Sequence, residues 1–286
     1  MSFTYSFPRY LSAKKTVDDR ALNARVWQAL RQNLPAWPHI LEVGAGIGTM
    51  VERLAEQQFI SSATYTAIDN QAENIATARQ RLAHLPAGIQ LSLEAIDLFD
   101  FIQREQGQQW DVLIAHAFLD LMDVPATLPQ LFTLLKSGGL FYFSINFDGV
   151  TVLEPPIDPV LDAQIEQLYH QTMDERLIDG KPSGDSRSGR HLFGHLRQAG
   201  ATILAAGSSD WVVFAKPDGY PADGYPADEK YFLQFIVETM RRALAGHQAL
   251  DQVRLARWID RRQAQIEAGE LVYIAHQIDF LGRWPG

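Results

Sequence analysis

Glu42-Val43-Gly44-Ala45-Gly46-Ile47-Gly48 sets one carboxylate and three alternating glycines in a single short run. Glycine serves where a backbone needs positive φ, or where a ligand must approach with no Cβ in the way. A short apolar segment, Ile40–Val43, leads into the run, and a helix is expected after it. A glycine-rich turn between strand and helix suits a nucleotide-type ligand lying against the backbone. Its spacing excludes two such ligands. The dinucleotide pattern G-x-G-x-x-G needs a third glycine where Thr49 stands, and the phosphate-cradling loop needs a lysine that does not follow. Glu42 would repel a phosphate and suits a ligand with a cationic end. A glycine-rich turn with no ligand is the competing reading.

Further polar residues fall at the ends of apolar segments. Ala63–Ile68 reads as a strand ending in Asp69-Asn70. Asp69 stands 21 positions beyond Gly48, where an acidic residue can take both hydroxyls of a ribose. It also suits a helix N-cap. Ile89–Ile96 runs into Asp97-Leu98-Phe99-Asp100, and Trp110–Ala115 runs into His116-Ala117-Phe118. Leu134-Leu135-Lys136-Ser137-Gly138-Gly139 predicts a helix stopped by glycine, with a fifth strand after it.

In this order, over residues 40–147, the five segments resemble the motifs of class I S-adenosylmethionine-dependent methyltransferases. The resemblance implies S-adenosyl-L-methionine as cofactor and S-adenosyl-L-homocysteine as product. It places Glu42 near the cofactor's amino-acid end. It lets the methionyl part pass over Gly44, Ala45, Gly46 and Gly48. Asp69 then holds the ribose and Asn70 flanks the adenine. Asp97 accepts from the adenine amino group while Leu98 packs on the ring, with Asp100 as the alternative and helix capping as the plain reading. His116, Ala117 and Phe118 lie beside the sulfonium. Tyr10 and Arg20, on an N-terminal helix, would reach the cofactor carboxylate, unless that helix is merely a packed surface element.

These residues need a framework that brings strand ends together. Alternation of strand and helix from 40 to 147 predicts an α/β fold: a Rossmann-like, doubly wound, seven-stranded, mostly parallel sheet with helices on both faces. Ligands of such sheets bind at the strands' carboxyl ends, where every motif residue above falls. The whole of 1–286 reads as one domain. Residues 1–39 form an N-terminal helical lid, with one helix over Lys14–Leu34. Residues 40–147 form the cofactor-binding core, and 148–190 an insertion and substrate lid with a helix bearing Leu161, Ile165 and Leu168. Residues 191–286 carry the last strands, with a helical insertion at 229–268. A helix at His191–Ala199 and a strand at Ala201–Ala206 resume the order. The last strand is placed at 271–280, with Val272, Ile274, Ile278 and Phe280 on one side. Trp211–Ala215, hairpinned to 201–206, is the competing choice. Gly-Tyr-Pro-Ala-Asp occurs twice in tandem, at 219–223 and 224–228, as in a duplicated exposed loop.

Composition narrows the partners. The chain has 286 residues, 47% of them hydrophobic, and a formal net charge of −9. That balance weighs against nucleic acid, whose binding needs clustered Lys and Arg. The absence of cysteine removes disulfides, cysteinyl metal sites and thiol nucleophiles, and is consistent with a cytoplasmic protein. No signal peptide or run long enough to span a membrane is read, and no metal is expected.

Methyl transfer is an in-line displacement, so the protein must align nucleophile, methyl and sulfur. Where the acceptor is protonated, a base is needed, and histidine suits neutral pH. His116 is the best placed, though mere contact with the cofactor is the favoured use of it. His170 and His191 are remoter candidates. Asp185, Arg187 and Arg190, in a glycine-rich loop, are candidate substrate ligands, since arginine binds carboxylate or phosphate bidentately. A solvated loop is the bland reading. Trp211 could stack on a planar substrate, with core or loop packing as the favoured reading, and Tyr169 is a candidate apolar wall. No Asn/Asp-Pro-Pro-Tyr/Phe motif follows the fourth strand, which lowers amide and adenine methylation. The expected function is methyl transfer to an O, N or C atom of a small metabolite. The alternatives are a protein or RNA methyltransferase with a partner subunit, and a non-catalytic module that binds the cofactor.

Overall fold

The computed structural model describes residues 5–178, 180–216 and 224–286. The chain begins with α1 (Phe7–Ala21), α2 (Ala24–Asn33), β1 (His39–Val43), α3 (Thr49–Glu56), β2 (Ala63–Asp69), α4 (Ala72–Arg81) and β3 (Ile89–Ala95). It continues with α5 (Leu98–Arg104), β4 (Trp110–His116), α6 (Val124–Phe132), β5 (Leu135–Glu154), α7 (Pro159–Asp174), β6 (Leu177–Ile178) and β7 (Lys181–Pro182). It closes with α8 (Ser188–Gln198), β8 (Thr202–Ser208), β9 (Trp211–Val213), α9 (Glu229–Ala243), α10 (Gln252–Glu267) and β10 (Val272–Arg283). Two compact units result. The larger comprises Leu22–Asp148, Arg187–Ser209 and Gln277–Gly286; the smaller comprises Met1–Ala21, Gly149–Ser186 and Asp210–His276.

The sheet of the larger unit runs β3-β2-β1-β4-β5-β10-β8. Its first five strands pair in parallel, and β10 is antiparallel to β8. The order reverses between β1 and β4, so the two halves diverge where β1 ends. Burial on both faces explains why the central strands β1 and β4 are nearly continuous apolar runs. Successive side chains serve opposite cores. Leu41, Val43, Leu113, Ala115, Phe141 and Phe143 pack with α5, α6 and α8. Ile40, Val112, Ile114, Leu140 and Tyr142 pack with α2, α3 and α4. The α/β sheet with helices on both faces is therefore as expected.

Several boundaries differ from expectation. The helix expected over Lys14–Leu34 is two helices, because Asn23 caps α2 with its own side chain, accepting from Arg25 and Val26 N–H at 3.1 Å. Gly138-Gly139 does not end a helix. The helix before it stops at Phe132, and the glycines fall within β5, where the register against β4 shifts. The last strand of the sheet is β10. Trp211–Val213 pairs with β10 and not with 202–208. Along β10 the more buried positions before Phe280 are the odd ones, Tyr273, Ala275, Gln277 and Asp279. The first copy of the tandem repeat lies outside the described residues.

In the smaller unit, α1 rests on α9 through Tyr10 and Phe235, whose ring centroids are 4.0 Å apart. Two buried carboxylates there are paired. Asp18 accepts from Lys14 at 2.8 Å and from Trp211 Nε1 at 2.9 Å. Asp162 accepts from Arg262 Nη2 at 2.9 Å and from Trp258 Nε1. No helix among the described residues is long and apolar enough to cross a membrane.

Candidate functional site

The site is built where β1, β2 and β4 of the larger unit end, beside Ser144 in the middle of β5. Gly44 leaves β1 at φ +65, a conformation open to glycine at no steric cost. A side chain there would also collide, since a Cβ would lie 2.3 Å from Phe118 Cδ2. The turn is fastened to the end of β2 by two bonds. Ala45 N–H donates to Ile68 O at 2.9 Å, and Gly46 N–H donates to Asp69 Oδ2 at 2.8 Å.

Asp69 thus serves the turn directly. Its other oxygen accepts from Gln71 N–H at 2.8 Å and Asn74 Nδ2 at 3.1 Å. It is not the N-cap of α4, a position held by Gln71. An ionised carboxylate offers about four lone-pair sites, so these three donors leave one acceptor place open. Neighbouring Asn70 is exposed and accepts from Gln71 Nε2 at 3.2 Å.

Glu42 points the other way. It shares its side of β1 with Ile40, is 1% exposed, and accepts from Tyr65 Oη at 2.8 Å. Burial pushes its carboxyl up to about 8, against the opposing pull of the Tyr65 bond and the Arg53 charge. At neutral pH it is mostly uncharged. Here it is bonded to Tyr65 within the core and adds no standing negative charge.

Asp97 caps α5, accepting from Phe99 N–H at 2.7 Å, and Leu98 beside it is buried. At the end of β4, His116 lies directly opposite Ser144 of β5. Its Nδ1 is 2.8 Å from Ser144 Oγ, and both residues are buried. Ala117 follows at φ +50, its N–H donating to Ser144 O at 2.8 Å. The structure therefore brings Gly44, Ala45, Gly46, Asp69, His116, Ala117 and Phe118 onto adjoining strand ends.

The remaining candidates have other engagements. Arg20 and Tyr10 belong to the smaller unit. Arg20 forks onto wholly buried Glu229 at 2.6 and 2.8 Å, and Tyr10 stacks on Phe235. Trp211 is 8% exposed, bonds Asp18 and meets Phe232 edge-on at 5.3 Å. Tyr169 tilts against His170, which itself bonds Thr151 Oγ1 at 3.0 Å. Asp185 is half-buried in the same unit. Arg187 and Arg190 belong to the larger unit, and Arg187 is the exposed N-cap of α8. Arg190 donates both N–H and Nε to Asp148 Oδ1 at 2.8 Å. No cluster of three or more potential metal ligands occurs among the described residues.

Sequence reasoning missed Tyr65, Asn74, Ser144 and Asp279. The signals were weak. Asn74 lies on the helix after Asp69, and Asp279 is a charge inside an apolar alternating strand.

Residues 41–141 match the family described as a methyltransferase domain. An uncharacterized protein of a Synechococcus strain is 24% identical over 213 residues, covering 73% of this chain and 46% of that protein. The chain thus spans about half the length of that curated relative. Among solved structures, the cyclopropane synthase MmaA2 of Mycobacterium tuberculosis aligns with a TM-score of 0.50 at 9% identity, covering 99% of this chain and 100% of that one. A methyltransferase of Thiobacillus denitrificans, solved with S-adenosyl-L-homocysteine, aligns with a TM-score of 0.49 at 15% identity, covering 97% and 99%. Likeness at such identities concerns the fold. The family match falls on the segment that carries the motifs, and the chain resembles the class I S-adenosylmethionine-dependent methyltransferases there.

Proposed function

We propose that this chain is an S-adenosylmethionine-dependent methyltransferase acting on an oxygen, nitrogen or carbon atom of a small molecule. The observation that carries the reading is the bond from Gly46 N–H to Asp69. It makes one cradle of two motifs that stand 23 residues apart. The residues fit such a cofactor. The turn is formed from glycine in the left-handed region, and Asp69 keeps one acceptor place for a ribose hydroxyl. A second ribose bond would share or displace one of the present donors.

When bound, the cofactor supplies a methyl group made electrophilic by its sulfonium sulfur. The chain's own residues bind and orient. Asp69 holds the ribose, Asp97 and Leu98 receive the adenine, and the turn at Gly44–Gly48 supports the amino-acid end. Ala117 and Phe118 line the approach to the sulfur, excluding water and fixing the line of attack. His116 takes the acceptor's proton near neutral pH, held in place by Ser144. Arg187 and Arg190 remain the candidate ligands for an anionic group on the acceptor.

Isothermal titration with S-adenosyl-L-methionine and S-adenosyl-L-homocysteine tests the reading. Saturable binding with a submillimolar Kd is expected for both. Absence of heat from either would overturn it.

A further inference from the structure

Ile145 follows Ser144 in β5 at φ +57. A β-branched side chain in the left-handed region is a true outlier, kept only where its surroundings over-determine it. The surroundings come from β10. Asp279, wholly buried, accepts Ile145 N–H on Oδ1 at 2.8 Å. Its Oδ2 accepts Asn23 N–H, also at 2.8 Å. The next residue of β5 is tied too, since Asn146 Nδ2 donates to Ile278 O at 2.8 Å.

The other side of the same backbone faces His116. Ser144 reaches its Nδ1 through Oγ and holds Ala117 through its carbonyl. A buried carboxylate is costly unless donors satisfy it. Here the donors are main-chain N–H groups from two distant segments, so the carboxylate fixes backbone where an apolar residue would only fill space. The chain of contacts is continuous: Asp279 to Ile145, Ile145 to Ser144, Ser144 to His116.

We propose that Asp279 is a positioning residue, which holds Ile145 in its left-handed conformation and thereby sets the Ser144 hydroxyl that orients the His116 ring. The proposal rests on the reading of His116 as the base. It adds that the base is set from β10, an element that makes no part of the cofactor cradle.

The test uses the full chain labelled with nitrogen-15 in histidine. Long-range proton–nitrogen spectra at pH 8.5 report which ring nitrogen carries the proton, and His116→Gln identifies the signal. One dominant His116 tautomer is expected in the parent, and Ser144→Ala, which removes the hydroxyl, should mix the two. Asp279→Asn turns an amide donor toward one of the two N–H groups. It should also mix the tautomers, while S-adenosyl-L-homocysteine affinity stays within about threefold by titration. A folded Asp279→Asn protein with an unchanged His116 signal overturns the proposal.

Should Asp279→Asn fail to fold, Ile145→Gly supplies the second arm, because glycine takes positive φ unaided. Ile145→Gly/Asp279→Asn is then expected to fold with a parent-like His116 signal. A double variant that folds with mixed His116 tautomers overturns the proposal equally. Loss of S-adenosyl-L-homocysteine binding by the parent chain sinks the methyltransferase reading instead, and is seen in a separate measurement.

Discussion

Gly46 and Asp69 are joined by a 2.8 Å bond from backbone N–H to carboxylate, so the turn after β1 and the end of β2 form one rigid unit. The same carboxylate holds Gln71 and Asn74. On the proposed reading, cofactor binding and local order both depend on one side chain.

Asp69→Ala removes the acceptor for three donors. Hydrogen bonds to a charged group contribute about 1.5–3 kcal/mol each when lost. Titration with S-adenosyl-L-homocysteine should show at least a tenfold weaker Kd, and thermal melting a lower midpoint. An unchanged Kd would remove Asp69 from the cofactor site.

Glu42 makes stability depend on pH in a stated direction. Its carboxyl is raised from 4.5 in the unfolded chain to about 8 by burial, with the Tyr65 bond opposing. Its stabilising share is full below 4.5 and is lost as pH rises through about 8. Urea unfolding of the parent and of Glu42→Gln, compared across this range, should show the variant gaining on the parent as pH rises. Parallel curves would mean that Glu42 is solvated.

Gly44→Ala should be costly twice. The left-handed conformation disfavours a Cβ by about 1–2 kcal/mol, and that Cβ would lie 2.3 Å from the Phe118 ring. Phe118→Ala relieves only the second conflict. The double variant should therefore lose less stability than the two single losses combined, by denaturant titration. Simple additivity would show that the ring yields freely.

Arg262 and Asp162 form a buried pair at 2.9 Å in the smaller unit, with the arginine side chain wholly inside. Removing one partner strands the other, at a cost of about 3–5 kcal/mol. Arg262→Ala and Asp162→Ala should each fall in that range. Arg262→Met/Asp162→Leu should recover part of it, because neither charge is then left unpaired. A double variant as unstable as the sum would assign the loss to packing.

What was readable in the chain is what lies close together along it. The glycine turn, Asp69 at its fixed offset, and the strand–helix alternation all depend on neighbours within a few residues. Strand register is not local. Whether Glu42 faces a ligand or the core depends on Tyr65, which reaches it from β2 across the pairing Glu42↔Ala67 and its neighbours. Ser144 looked like any small polar residue until the pairing of β4 with β5 set it opposite His116. The double glycine at 138–139 misled for the same reason. Glycine punctuates both helix ends and strand irregularities, and only the partner strand distinguishes them. The break between α1 and α2 was legible in principle, since asparagine is among the strongest N-caps. Helical spacing on both sides of Asn23 concealed it.

Strand β10 follows every other strand in the chain yet lies between β5 and β8. Until residues 272–283 are in place, β8 has no neighbour and β5 ends the parallel half with an open edge. Assembly must therefore hold an apolar seam unfilled while more than a hundred residues are added after β5. Partly folded chains would present that seam to one another, and edge pairing between copies is its natural failure. The residues that close the sheet also include Asp279, so the last strand to arrive brings the carboxylate that locks β5 at Ile145.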